Sequence, residues 1–305
     1  MAANTSIEWT DATWNPIVGC SVVSPGCTNC YAMKMAARIE RCGTAPHYAG
    51  TTHASKAGAV WTGRVSLAPA HILTHPLRWN RARKIFVNSM GDLFHESVPD
   101  EWIDRVFAVM ALAPQHTFQV LTKRSKRQRE YMTPARATAV GMEALGLTFE
   151  AYARDHRSMV GDGVMLEGDI CHLKVWPLPN VWLGVSVEDQ ARADERIPDL
   201  LATPAAVRFV SAEPLLGPVD LTWLKPTINA LSPINHPSLD WVIAGGESGP
   251  AARPMHPDWV RALRDQCAAA GTAFFYKQNI INGQKVECPT LDGRQHIEFP
   301  LRGNP

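Results

Sequence analysis

Seven short apolar runs, each closed by small or polar residues, constrain the fold of this 305-residue chain more than any other feature. They fall at Pro16–Gly19, Ile85–Asn88, Thr117–Leu121, Val181–Ser186, Val207–Ser211, Trp241–Ala244 and Ala273–Tyr276. Most are continuous rather than alternating, as expected of strands covered on both faces. Helical patterns lie between them at Tyr31–Arg41, Pro99–Ala113, Gln190–Leu201 and Pro257–Ala270. In the second, Trp102, Val106, Val109 and Met110 recur at helical spacing after a Pro99-Asp100-Glu101 start. Strand–helix alternation predicts an α/β fold: a full or partial βα (TIM-like) barrel of six or seven parallel strands, in a single domain over residues 1–305. An open doubly wound sheet is the alternative, though no Gly-x-Gly-x-x-Gly follows the first strand. Two stretches break the repeat, at about 41–83 and 124–180. The second holds a helical run, Pro134–Ala153, and then a glycine-rich piece. Both read as insertions forming a lid or substrate platform.

Composition narrows the class. The chain is 46% hydrophobic, enough for a sizeable core and against overall disorder. Thirty basic against 29 acidic residues leave a net charge of +1, so any nucleic-acid contact has to be a local patch. No apolar run approaches bilayer length, so no membrane partner is expected. The start, Met1-Ala-Ala-Asn-Thr-Ser-Ile-Glu8, has neither the basic nor the apolar region of a secretory signal. With seven cysteines and no export signal, a reducing cytoplasm is the expected compartment.

Three of those cysteines stand together in Cys20-Ser-Val-Val-Ser-Pro-Gly-Cys27-Thr-Asn-Cys30-Tyr31. Thiolates so closely spaced suit a soft metal or an iron–sulfur cluster better than disulfides. Adding Cys42 would make a four-thiolate zinc site, but ten helical residues from Tyr31 span about 15 Å, so the helix would have to break. Cys171, Cys267 and Cys288 are isolated and read as small buried apolar residues.

Barrel enzymes keep their chemistry at the carboxyl ends of the strands. Past the runs come Asp92 with His95 and Glu96, then Lys123 with Arg124, then Glu188, Glu213, Glu247 and Lys277. Nearly every strand hands an ionisable residue to one rim, where clustered charge carries a desolvation cost. The plain alternative is that chains become polar wherever they leave a core. Gly245-Gly246 can be a tight turn or a close approach to a ligand. Two basic runs, Lys123 to Arg129 and Arg78 to Lys84, are either solvated helix faces or phosphate grips beside the barrel mouth.

Several motifs together carry a resemblance. They are Asn15-Pro16-x-x-Gly19-Cys20, Cys27-x-x-Cys30-Tyr31-Ala32, Gly91-Asp92-Leu93-Phe94, Ser211-Ala212-Glu213-Pro214 and Gly245-Gly246-Glu247-Ser248. From Trp9 to about Gln278 the chain resembles a phage-associated three-cysteine family of unknown function. That family in turn resembles the radical S-adenosylmethionine (SAM) superfamily of full or partial βα barrels. The resemblance implies that Cys20, Cys27 and Cys30 hold a [4Fe–4S] cluster whose open iron binds SAM. It implies Asp92 for the methionine end by position, Glu188 for the ribose and Glu247 as a further candidate; Glu213 and Lys123 join the cofactor-binding candidates by their place on the rim. A nucleotide or nucleic-acid substrate and an electron donor would be the partners. The usual Cys-x3-Cys-x2-Cys spacing is lengthened, with six residues in the first gap. Asn29 stands where an aromatic usually precedes the third cysteine, and Met90-Gly91-Asp92 replaces the usual Gly-Gly-Glu after the second strand. Two other functions fit the same residues: a zinc-stabilised nucleic-acid-binding barrel, and a metal-dependent hydrolase using Asp92, Glu188, Glu213 and Glu247.

Overall fold

The computed structural model describes residues 5–56, 58–155, 164–167, 170–234, 237–249 and 251–301. The glycine-rich piece expected after the 134–153 helix (Gly161, Gly163 and Gly168) lies outside them. One eight-stranded sheet organises the chain. Its strands are β1 (Ala12–Trp14), β2 (Lys84–Val87), β3 (Thr117–Thr122), β4 (Val181–Ser186), β5 (Val207–Ala212), β6 (Trp241–Gly245), β7 (Ala273–Ile281) and β8 (Gln284–Glu287). Strand order in space is strand order in sequence, and β1 through β7 are all parallel. Only β8 turns back, antiparallel to β7.

The sheet curls into a half-barrel. Strands β2 and β6 are four steps apart, about 19 Å on a flat sheet at ~4.8 Å per step. Yet the Trp9 ring sits 4.8 Å from Phe86 on β2 and 6.1 Å from Trp241 on β6. Trp182, Phe209 and Phe275 complete this aromatic plug on the concave face. Gly184 on β4 makes room for it, since a Cβ there would lie 2.5 Å from the Phe209 ring. The convex face carries the main core, with Val87, Val120, Val185 and Val242 packing against helix residues such as Val106, Ile197 and Leu263. The helices are α1 (Tyr31–Cys42), α2 (Asp100–Ala111), α3 (Ser125–Tyr131), α4 (Arg136–Asp155), α5 (Gln190–Ala202) and α6 (Pro257–Ala270). The Asp189 carboxylate starts α5 by accepting from the Arg192 amide at 2.9 Å. Gly43 ends α1 in the left-handed conformation at φ 64°, which glycine adopts without strain.

Two expectations change. The sheet has eight strands rather than six or seven, because β8 extends it. Its first strand is Ala12–Trp14, not Pro16–Gly19: Ala12 and Trp14 are fully buried, whereas Ile17–Val18 leaves the sheet to pair with Ser66–Leu67. Within the 124–180 stretch, α4 packs on α2 in the outer layer, and Arg124 lines the cleft. The 41–83 stretch does reach the mouth, through Trp61. Among the described residues, no helix is long and apolar enough to cross a membrane.

Candidate functional site

Side chains alternate along a strand, so residues two apart share a face. Stepping by two from the aromatic plug toward the carboxyl ends gives Phe86 then Asn88, and Trp182 then Gly184, Ser186 and Glu188. It gives Phe209 then Ser211 and Glu213, Trp241 then Ile243, Gly245 and Glu247, and Phe275 then Lys277. Asn88, Lys123, Ser186, Ser211, Glu213, Glu247 and Lys277 line one cleft there, with Asp92 and all three of Cys20, Cys27 and Cys30. The cleft encloses about 230 Å³ and opens to solvent.

Every expected carboxylate of the rim is bound to a cation or a set of donors. Glu188 is fully buried behind the lining, between Lys123 Nζ at 2.7 Å and Arg196 Nη1 at 3.1 Å, and accepts from the Ser24 hydroxyl at 2.7 Å. Burial alone would raise the Glu188 carboxyl. The two cations outweigh burial and hold it below its ordinary value. Asp92 accepts from Thr122 Oγ1 (2.6 Å) and the Phe94 amide (3.0 Å) on one oxygen, and from Arg124 Nη1 and the Lys123 amide (both 3.1 Å) on the other. Both Asp92 oxygens are thus doubly occupied, and the carboxylate fixes Arg124 at the edge of the cleft. Glu213 Oε1 accepts from Lys277 Nζ at 2.5 Å and Gln278 Nε2 at 3.3 Å. Glu247 is gripped by Arg253, Nη2 to Oε1 at 2.5 Å and Nε to Oε2 at 3.0 Å, and accepts from Asn29 at 2.8 Å. Burial raises its carboxyl, but these hydrogen bonds prevail and hold it low.

The cysteine loop is tied down from two sides. Arg253 Nη2 donates to the Pro25 carbonyl at 2.9 Å, and Asn29 donates to Glu247 and to the Ala251 carbonyl. On the other side Arg124 donates to Cys20 Sγ at 3.3 Å and to Ser21 Oγ at 2.7 Å. The Ser97 amide donates to Nδ1 of His95, leaving Nε2–H to reach Ser21 Oγ at 3.0 Å. Gly26 closes the loop over Glu188, where a Cβ would meet the carboxylate at 2.4 Å.

The three cysteines are free thiols. Burial, with the charge of Asp92, pushes the Cys20 thiol up to about 12 against the pull of Arg124. Burial likewise raises Cys30 against the Ala32 and Met33 amides. Thiols so placed become thiolates when a metal centre supplies the charge. Among the described residues, no group of three or more His, Cys, Asp or Glu is arranged to hold a single metal ion. A four-iron cluster takes one thiolate per iron, so it asks for sulfurs spread around a space rather than at one point. Cys20, Cys27 and Cys30 each line the cleft. Cys42 is exposed at the far end of α1, and Cys267 is buried in the main core as expected. Cys288 is only half-buried, while the Cys171 side chain lies outside those described.

The basic runs read differently in three dimensions. Each cation from Lys123 to Arg129 has a carboxylate partner: Glu188, Asp92 with Glu96, Glu130, Asp100 and Asp199 in turn. The second run, Arg78 to Lys84, leads into the amino end of β2, opposite the cleft. Arg83 and Lys84 rest there on the Trp79 and Phe299 rings. Sequence reasoning placed Ser186 at the rim but gave no site role to Ser24, Asn29, Arg196 and Arg253, which nothing local marks.

These features define an α/β half-barrel protein with a cysteine-rimmed, charge-paired cleft at the carboxyl ends of its parallel strands. Residues 4–300 match the family described as a protein of unknown function (DUF5131), and the chain belongs to that family. No curated protein and no solved structure is significantly similar to it. The family description names no activity, so the radical-SAM and phage likenesses rest on the sequence motifs alone.

Proposed function

We propose that this chain is a radical-SAM-type enzyme, with Cys20, Cys27 and Cys30 as ligands of a [4Fe–4S] cluster and the adjoining cleft as the site of SAM. One observation carries the reading: three free cysteines and the charge-paired rim of six strands converge on a single cleft. When bound, the cluster and SAM supply one-electron chemistry that abstracts hydrogen from a substrate. The chain's own residues do the positioning. Arg124 sets Cys20 and Ser21, while Arg253 and Asn29 set the Pro25–Cys30 turn. Lys123 and Arg196 keep Glu188 ionised beneath that turn. The apolar floor of Trp9, Phe86 and Leu121 excludes water below the reacting groups. The pairing of the Lys123–Arg129 run argues for a small substrate, nucleotide-sized at most, over a nucleic-acid strand. A reductant is a necessary partner, and a reducing cytoplasm is the setting that suits it.

The test is anaerobic reconstitution followed by iron and sulfide analysis and visible absorption, with Cys27→Ala alongside. The expected result is about four irons per chain in the wild type and a clear loss in the variant. Tight zinc in a colourless protein, or no iron uptake by the wild type, would overturn the proposal.

A further inference from the structure

The β4–β7 side of the cleft contains a second, separately built set of groups. Ser186 and Ser211 are register partners on β4 and β5, so their hydroxyls stand side by side on the inner face. Both residues are at least nine-tenths buried, both line the cleft, and neither hydroxyl has a side-chain or backbone partner among the described residues. Next to them the ladder between β6 and β7 slips: Ala244 pairs with Tyr276, but Gly245 pairs with Gln278. Lys277 is the extra residue of that bulge. In a regular strand Lys277 and Gln278 would face opposite ways. Here both line the cleft and both donate to Glu213 Oε1. A bulge that re-aims a side chain at the mouth of a sheet is a common way to build a ligand contact.

The atoms left over define the ligand. Glu213 Oε2 and Gln278 Oε1 accept from no protein group among the described residues, Lys277 keeps two ammonium hydrogens, and two hydroxyls can both donate and accept. Acceptors and donors are therefore mixed at close range around a lysine whose charge Glu213 already balances. A phosphate, which only accepts, would meet the free carboxylate oxygen and be repelled. A vicinal diol donates and accepts at each oxygen and matches the mixture, as a carboxylate beside a ribose does. The Trp9 and Phe86 rings in the same cleft suit the C–H face of a sugar ring.

We propose that Ser186, Ser211, Glu213, Lys277 and Gln278 form a substrate subsite for an uncharged polyhydroxyl group, such as the pentose of a nucleoside. Assigning it to substrate rather than to SAM rests on the enzyme reading above; its polyol chemistry does not. The test is a titration by ligand-observed NMR and thermal shift with methyl β-D-ribofuranoside, uridine, adenosine and inorganic phosphate. It uses the wild type, Ser211→Ala, Glu213→Gln and Lys277→Met, the last retaining a long apolar stem if the glutamine variant fails to fold. Saturable binding of at least one polyol is expected, weakened at least about fivefold in each folded variant, with no saturable phosphate response. Saturable phosphate binding instead, or polyol binding indifferent to all three substitutions, would overturn the subsite. The same polyol binding in Cys27→Ala is expected whether or not the cysteines hold a cluster, so the two proposals fail separately. Repeating the titration on reconstituted protein saturated with SAM distinguishes the sources. Retained binding supports a substrate site, and complete displacement overturns that assignment.

Discussion

Arg253 closes on Glu247 through two hydrogen bonds, Nη2 to Oε1 and Nε to Oε2, and with the same Nη2 reaches the carbonyl of Pro25. One side chain thereby joins the loop after β6 to the loop after β1, across the full width of the curled sheet. Charge-assisted bonds of this kind are worth about 1.5–3 kcal/mol each when buried and less when partly exposed, as Arg253 is. Arg253→Ala is expected to loosen residues 24–30 before it unfolds the domain. Hydrogen–deuterium exchange of the Cys27, Thr28 and Asn29 amides measures this, and unchanged protection would show the clamp to be unimportant.

Glu188 predicts an acid sensitivity with a defined sign. Its carboxyl is held low in the folded state, so its contribution is fully present above the unfolded glutamate value of about 4.3 and is lost as pH falls through the lower folded value. Glu188→Gln leaves Lys123 and Arg196 facing an uncharged amide at every pH. The variant is expected to cost about 3–5 kcal/mol at pH 7, the usual penalty for breaking a buried pair. The gap to wild type should narrow steadily below pH 4 in denaturant titrations. A pH-independent gap would rule out the ion-pair origin.

Two glycine substitutions should move stability in opposite directions. At Gly184 an added Cβ meets the Phe209 ring at 2.5 Å from inside the aromatic plug, so Gly184→Ala is expected to lose about 1–3 kcal/mol through overpacking. Gly146 is exposed within α4, with nothing near its would-be Cβ, so Gly146→Ala is expected to gain about 0.5–1 kcal/mol. Urea midpoints of the two variants against wild type are the measurement. A stabilised Gly184→Ala would contradict the overpacking account, and a destabilised Gly146→Ala the helix account.

Cys42 separates the cluster reading from a four-thiolate one. It is exposed at the end of a 12-residue helix that begins beside Cys30, about 17 Å of helical rise away. Cys42→Ser is therefore expected to leave reconstituted iron content unchanged, while Cys20→Ala and Cys30→Ala reduce it. Loss of metal on replacing Cys42 would point to a different ligand set.

Much of the architecture could be read from the residues because its signals are local. The continuous apolar runs marked six of the seven parallel strands within a few positions, and the Pro257-Asp258 start placed α6 at its observed bounds. The first strand escaped because three residues, Ala12–Trp14, are too short for a periodic signal and the apolar-looking Pro16–Val18 lies beside them. The rim carboxylates and the cations Lys123, Arg124 and Lys277 were found by their position after strands, but Arg196 and Arg253 were not. Arg196 lies eight residues beyond Glu188 and Arg253 six beyond Glu247, and only the folding of a helix or loop back over the cleft brings each pair together. The two readings of Lys123–Arg129 stayed open for the same reason: its compensating acids come from α2, α5, the loops after β2 and β4 and, for Lys126, from α3 itself.

Because each parallel strand docks on the one made just before it, a ribosome can lay the sheet down edgewise as the chain emerges. The cysteine loop emerges well before Arg253. Until Arg253 follows, the growing chain carries its thiols without that clamp.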